Sequence, residues 1–291
     1  MASIDSDPED AITKEEIAGT APAPEAEAAG VSQGTKRNAF TELMSAKTKT
    51  PRDGPEPETL ASTRGPLTRS FKQRDGLGAY THDPAAHPAS RVIFYDDDFV
   101  AINDMYPKST VHTLLLPRSP AHCRLHPFDA FEDPAFLASV QAATAKLKRL
   151  VAKELQRRYG PYSRQERERE AVLDGREELE EGRPLPPGRD WEEGLLVGVH
   201  AHPSMNDLHV HVLSPDMVSE CMRHRKHYSS FNTPFLVDVA DFPLAKDDPR
   251  RHPGKFHEQD MRCWRCGGNW GNRFKQLKEH LALEFEAWRR E

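Results

Sequence analysis

Positive charge is not in excess in this chain. Lys and Arg number 40 against 46 Asp and Glu, a formal net charge of −6 over 291 residues. There is no global cationic field, so any nucleic-acid contact must come from local patches. Cysteine is scarce. Of four, Cys123 and Cys221 are isolated and Cys263 and Cys266 form a Cys-x-x-Cys pair. That is too few for a disulfide framework, and the close pair suits zinc in a reducing compartment. No apolar run approaches the ~20 residues of a membrane span. The first residues, MASIDSDPEDAITKEEIAG, are acidic and lack the apolar centre of a secretory signal. The expectation is an intracellular protein with no membrane partner.

What is present is unevenly distributed. Residues 1–66 are rich in Ala, Pro, Glu, Thr and Lys and read as a disordered N-terminal tail, too poor in apolar surface to offset ordering entropy. Within it, KRNAFTELMSAK sets Phe40, Leu43 and Met44 at helical spacing, either a transient helix or a short docking element. Order is expected from about SFKQRDGLGAYTHDP onward. Strand-like runs follow at 91–95, 99–104 and 110–117, with the DDD of 96–98 as a hairpin turn. From Pro134 to Tyr159, Phe136, Val140, Leu147, Val151 and Leu155 recur at multiples of three or four, which predicts an amphipathic helix. Residues 163–193 are almost all charge, Gly and Pro, and read as a solvated insertion, a helix and then a loop. Strands at 194–200 and 207–214 and a helix from about Arg273 complete an α+β pattern.

The strand in PSMNDLHVHVLSPD carries His209 and His211. Fourteen histidines in a chain of this length give roughly one His-x-His pair by chance, so the pair proves nothing alone. Alternation would send Leu208, Val210 and Val212 toward the helix and Asp207, His209, His211 and Leu213 to the other face. His200 ends the preceding strand, and His112 lies in another apolar one. The Pro203-Ser204-Met205 loop can lay N–H groups and a hydroxyl near an anion. Three readings compete: structural histidines on a polar edge, two metal ligands, or an imidazole nucleophile with proton-donating partners.

Near the far end, Cys263-x2-Cys266 is followed by His280 and Glu284, the last two on one helical face. Cys-x2-Cys before a helix bearing His is a strong zinc-finger signal. Glu284 stands where a second His is usual, either as a carboxylate ligand or as a surface residue with another group completing the shell. Phe274, Leu277 and Leu281 are few, so metal would supply most of the finger's folding energy. Arg262, Arg265, Arg273, Lys275 and Lys278 offer phosphate contacts or form a solvated face. MRHRKHY groups Arg223, Arg225, Lys226 and His227 in a modest basic patch.

PSMNDLHVHVLS resembles the signature of the histidine-triad (HIT) nucleotide hydrolases and transferases, His-φ-His-φ-His-φ-φ with φ apolar. GVHAHPSMNDLHVHVLS, MRHRKHYSSFNTPF and YDDDFVAINDMYPKSTVHTLLLPRSP are similar to the aprataxin branch, the DNA-adenylate hydrolases, fungal members in particular. The similarity runs from about Ser70 to Glu291, excepting the charged insertion. It implies a HIT-type antiparallel sheet with helices over 67–250, followed by a small zinc finger over 255–291. It also implies a nuclear enzyme that removes AMP from 5′-adenylated DNA left by abortive ligation. A generic nucleotide phosphoramidase or dinucleotide hydrolase, and a non-catalytic DNA-binding repair adaptor, are the alternatives.

Residue by residue, the resemblance makes His209 the nucleophile and His200 the acid on the leaving-group side. His211 and Ser204 are expected to meet the phosphoryl oxygens. Asp104 is implied beside the ribose hydroxyls, or else is only a turn residue; Met205 and His112 are expected along the nucleotide. Lys108, Arg223, Arg225, Lys226 and His227 are implied along the DNA strand. Phe71 matches an aromatic wedge pressed on a base, or is a core residue of its helix. Cys263, Cys266, His280 and Glu284 would hold one structural zinc ion; no catalytic metal is expected, and repair proteins are expected on the tail. Asp207 stands where the pattern has its first histidine. A carboxylate there is expected to accept an imidazole proton, fix the tautomer and raise the histidine pKa.

Overall fold

The computed structural model describes residues 73–180 and 182–291. The 1–66 tail, the Phe40–Met44 island and Phe71 lie outside the described residues. A short helix α1 (Gly78–His82) leads into β1 (Val92–Tyr95) and β2 (Phe99–Asn103). The Asp96 carboxylate closes the expected hairpin by accepting the N–H groups of Asp98 and Phe99 at 3.0 and 2.8 Å. β3 (His112–Pro117) is buried along its whole length, which explains its unbroken apolar run. A turn of helix, α2 (Pro127–Ala130), precedes α3 (Pro134–Tyr159), whose predicted span is the observed one. Asp133 caps α3 through the N–H groups of Ala135 and Phe136, with Pro134 in the first turn.

After α4 (Arg167–Leu173) come β4 (Leu196–His200), β5 (Val210–Leu213), α5 (Arg225–Phe231) and β6 (Leu236–Val237). The six strands form one sheet in the order β1-β2-β3-β5-β4-β6, with every pairing antiparallel. α3 covers one face: its Leu137, Val140, Leu147, Val151 and Leu155 share a core with Leu115, Val199, Leu208, Val210 and Val212. That is the face expected for Leu208, Val210 and Val212.

The finger is a hairpin, β7 (Met261–Arg262) with β8 (Asn269–Gly271), and a helix, α6 (Phe274–Trp288). Gly267, at φ +70°, turns the Cys-x-x-Cys knuckle and donates its N–H to the Cys263 carbonyl. Leu277 and Leu281 of α6 are fully buried against Leu213, Met217, Tyr228 and Phe231, on the sheet face opposite α3. Trp288 and Phe256 join the main core. The finger therefore shares apolar surface with the sheet. Among the described residues, no helix is long and apolar enough to cross a membrane.

Two differences from the sequence reading concern layout. Regular pairing in the last large strand starts at Val210, not at 207: the Leu208 N–H goes to the Cys123 carbonyl and the Asn206 N–H to that of Arg74, so loops capture these residues first. The charged segment has its helix and loop, but it is not simply solvated, because Glu166, Ala171 and Trp191 are buried.

Candidate active site and metal centre

Strand register assembles the histidines. Leu114 pairs with His211 and His112 with Leu213 across β3–β5, and Gly198 pairs with His211 across β4–β5. Side chains alternate, so His112, His200 and His211 share one sheet face. The His200 and His211 ring centroids lie 4.5 Å apart, and His209, just before β5, lies 4.9 Å from His211. Phe231 walls the cluster, at 5.3 Å from His112, 4.8 Å from His200 and 5.1 Å from His211. Nothing in the local sequence singled out Phe231; it arrives from α5. Ser204, in the β4–β5 connection, is also buried, and Met205 beside it is half-buried.

Tautomers follow from the hydrogen bonds. The Lys108 N–H donates to His112 Nδ1 at 3.0 Å, so a neutral His112 carries its proton on Nε2. That N–H points at His211 Nδ1, 2.9 Å away, and His211 in turn carries its proton on Nε2. Among the described residues, His211 Nε2 is buried with no hydrogen-bond partner, and so is His200 Nε2. Such orphaned groups are costly and mark a place for a polar ligand. His209 Nδ1 lies 2.8 Å from the Asp207 carbonyl and must donate to it, which leaves the Nε2 lone pair available. Asp104 sits half-buried beside this chain, Oδ2 3.5 Å from His112 Nε2, and its Oδ1 accepts the Tyr106 N–H at 2.8 Å.

Burial sets the charge state. Desolvation lowers the His209 pKa, with its bond to the Asp207 carbonyl and the Asp104 charge opposing. It drives His200 and His211 well below the ordinary value, aided by neighbouring imidazoles, and brings His112 to about 4. At neutral pH the cluster is uncharged. Imidazole NMR should show His112 titrating near 4 rather than 6.5. Because these folded pKa values lie below the unfolded one, stability is full above pH 6.5 and falls as pH drops toward 4. A His112 midpoint at 6.5 would contradict the burial argument.

Asp207 does not act as expected. Its carboxylate approaches no imidazole. It accepts from a Gly78 N–H and lies 3.4 Å from Arg124, which also pairs with Asp75 at 2.7 Å. Burial raises the Asp207 carboxyl pKa against the pull of Arg124. Its carbonyl, not its side chain, fixes the His209 tautomer, and its charge does not raise the His209 pKa. Asn206 Nδ2 reaches Asp75 at 3.0 Å, so this knot fastens the segment before α1 to the loop before β5. Neither Arg124 nor Asp75 was singled out in the sequence, because they lie 83 and about 130 residues from their partners. Asp207→His would restore the family pattern but leave Arg124 and the Gly78 N–H without their carboxylate. The expected cost is about 1–3 kcal/mol, seen as a lower melting temperature. Unchanged stability would sink this account of Asp207.

The DNA-facing set divides. Arg223 is exposed, and Arg225 and Lys226 are half-buried at the start of α5; Arg225 Nη2 donates to the Gln259 carbonyl at 2.7 Å. Lys108 and His227 are buried, at 4% and 1% exposure. The Lys108 ammonium reaches the Cys221 carbonyl at 3.4 Å, and the Arg223 N–H donates to His227 Nδ1 at 3.2 Å. Segment 221–228 has folded over both, so His227 lies beneath the patch formed by Arg223, Arg225 and Lys226, and Lys108 lies beneath it too. Burial and the Lys108 charge hold the His227 pKa down to about 2.

At the metal centre, ligand atoms of Cys263, Cys266, His280 and Glu284 all lie within 4.8 Å of one another. Cys266 Sγ is 3.2 Å from His280 Nε2, which is 3.3 Å from Glu284 Oε1. Two sulfurs, one imidazole and one carboxylate converging in this way fit tetrahedral zinc. Arg265 turns inward to Glu284 Oε2 at 2.6 Å and to Glu291. It orients a candidate ligand instead of reaching for phosphate. Tyr228 Oη donates to the Arg262 carbonyl at 2.6 Å, tying the knuckle to α5. Asp104, His112 and His211 also converge within 4.8 Å. There the facing nitrogens of the two imidazoles are engaged with each other in one N–H···N bond, which opposes a metal.

Comparison with known proteins agrees on the fold and the family. A family model described as HIT domain matches residues 86–218, and one described as C2HE / C2H2 / C2HC zinc-binding finger matches 232–287. An aprataxin-like protein of Schizosaccharomyces pombe is 33% identical over 219 residues, 74% of this chain and 82% of that protein. One from Saccharomyces cerevisiae is 30% identical over 221 residues, 74% of this chain and 96% of that protein. Among solved structures, the aprataxin ortholog Hnt3 in complex with DNA superposes with a TM-score of 0.58 at 30% identity, over 74% of this chain and 96% of that one. Hnt3 in complex with DNA and guanosine gives 0.56 at 29%, with 74% and 96% covered.

Proposed function

Given that this chain belongs to the aprataxin-like proteins, we infer that it is a DNA 5′-adenylate hydrolase of single-strand break repair, releasing AMP from abortive ligation products. The observation that carries this reading is the His209 imidazole, held neutral by burial and pinned at Nδ1 by the Asp207 carbonyl. Its Nε2 is free to attack the α-phosphorus of the adenylate. A P–N bond forms, the P–O bond to the DNA 5′-phosphate breaks, and AMP is left on His209.

The Nε2–H of His211 and the Ser204 hydroxyl meet the phosphoryl oxygens, where negative charge accumulates. His200 protonates the leaving phosphate oxygen. It is neutral in the free protein, so its proton must arrive with substrate, whose phosphate charges raise the pKa of a neighbouring imidazole. Water then attacks phosphorus and returns His209. Asp104 is placed to accept from ribose hydroxyls, with Met205 and His112 along the nucleotide. Arg223, Arg225 and Lys226 are the exposed or half-buried cations on the DNA side; Lys108 and His227 act from beneath, by shaping that segment. Cys263, Cys266, His280 and Glu284 hold one structural zinc, and no catalytic metal takes part. The place of action is the nucleus, with repair partners on the N-terminal tail.

The test is to offer 5′-adenylated nicked DNA and, separately, a small adenosine phosphoramidate, both without divalent metal. Rapid AMP release from DNA supports the reading. Efficient turnover of the small substrate alone would make the protein a generic phosphoramidase, and turnover of neither would make it an adaptor. Because His209 is already neutral at pH 7, kcat/KM should decline on the acid side only below 6.5. An acid limb centred above pH 7 would remove His209 as the neutral nucleophile.

A further inference from the structure

The charged segment 163–193 takes no part in the proposed chemistry, yet both its ends are fixed to the finger helix. At its start, the N–H groups of Arg164 and Gln165 donate to the carbonyls of Arg290 and Glu291 at 3.1 and 2.7 Å. At its end, the Arg189 guanidinium lies in the corner of two nearly perpendicular indoles, 4.3 Å from the Trp191 ring and 4.7 Å from that of Trp288. Arg189 Nη1 donates to the Trp288 carbonyl at 2.6 Å, which also accepts the Glu291 N–H at 3.2 Å, so the cation sits at the C-terminal end of α6.

Glu166 draws the two ends together. Its buried carboxylate accepts from Trp191 Nε1 at 2.6 Å, from the Arg189 N–H at 3.2 Å and from Gln156 Nε2 of α3 at 3.2 Å. Gly188 is required by this contact, since a Cβ there would come within 2.4 Å of Glu166 Oε2. The attachment then continues as a chain of ion pairs. Arg189 Nη2 lies 3.6 Å from Glu291, Glu291 pairs with Arg265, and Arg265 holds Glu284 at the candidate metal centre.

We propose that segment 163–193 is a strap that positions the zinc finger for DNA, with Arg189 as the positioning residue; this rests on reading the chain as a DNA-adenylate hydrolase. A run of charges with only a solubilising role would not bury a carboxylate and a tryptophan beside the last turn of α6. The strap's contacts are to Gln156 of α3 and to residues 288–291 at the end of α6, while the imidazoles that would bind a small adenylate lie on β3, β4 and β5 with Phe231. Its loss should therefore cost DNA engagement and spare the chemistry. Arginine is favoured because its fork of N–H donors reaches the Trp288 carbonyl and the Glu291 carboxylate together while its carbon faces the indoles, a geometry that a point-like ammonium does not match.

The test compares full-length wild type, Arg189→Ala, Arg189→Lys and Gly188→Ala. If unstrapping leaves the end of α6 correctly placed about one time in ten, with Leu277 and Leu281 still packed on the sheet, KM for adenylated DNA rises about tenfold with kcat little changed. Turnover of the small adenosine phosphoramidate and zinc content should stay at wild-type values, and Arg189→Lys should recover only part of the loss. An unchanged KM for DNA in Arg189→Ala overturns the proposal. So does an equal loss on both substrates, which would make the segment a general support of the fold. Wild type inactive on both substrates would instead refute the hydrolase reading, and DNA binding by anisotropy, wild type against Arg189→Ala, then decides the strap alone.

Discussion

His209→Ala should abolish AMP release from adenylated DNA, by more than about 10⁴-fold, as removal of an attacking group does elsewhere. DNA affinity should barely change, because the imidazole is buried and its loss removes no cation from the surface. Wild type mixed with substrate and quenched in alkaline denaturant should carry AMP on the peptide containing His209, since a P–N bond survives base and breaks in acid. The variant should carry none. A His209→Ala protein that still forms the adduct would move the nucleophile to another imidazole of the cluster. One that retains activity without an adduct would mean direct attack by water. His211→Ala should behave differently, slowing release by about 10²–10³-fold, the usual effect of losing one charge-stabilising donor, while the adduct still forms.

Loss of zinc should have the second large effect. Metal contributes about 10–16 kcal/mol to a small finger of this kind, and the hairpin β7–β8 has little apolar surface of its own. Cys263→Ser should abolish zinc binding and weaken DNA binding sharply. The consequence should also reach beyond the finger. Cys263 lies in the same buried cluster as Leu213, Met217, Tyr228 and Phe231, and Phe231 packs on the imidazoles. Chelation should thus lower stability of the sheet domain and slow even the small substrate. Full activity on that substrate after complete metal removal would show that the finger melts independently. Metal analysis of well-folded protein that finds no zinc would end the finger reading.

The elements with strong periodicity were legible from sequence. The 26-residue helix after Asp133 announced its cap, its proline and its apolar stripe, and the strands of the β1–β2 hairpin were bounded by their own turn residues. The metal set was legible because its cysteines form a close Cys-x-x-Cys pair and His280 and Glu284, four apart, share one helical face. Failures came where a residue's environment is built by distant chain. The burial of Lys108 and His227 was not legible, because nothing local says that segment 221–228 closes over them. Arg265 read as a phosphate contact because its acidic partners sit a helix away. Residues 163–193 read as solvated because charge dominates their composition, although Glu166, Trp191 and Arg189 carry their attachment.

By itself the sequence determined the parity that sends His209 and His211 away from the α3 core, the cysteine–histidine–glutamate spacing, and the absence of any global basic field. These are properties of spacing, and backbone geometry converts spacing to direction without further information. Only the tertiary structure decided what each side chain meets. Asp207, at the histidine's place in the pattern, turns to Arg124 and a Gly78 N–H, and its carbonyl holds His209. Whether a carboxylate faces an imidazole or a guanidinium depends on which distant segment is packed against it. That is fixed by burial and the demand that buried polar groups find partners, and local sequence carries neither.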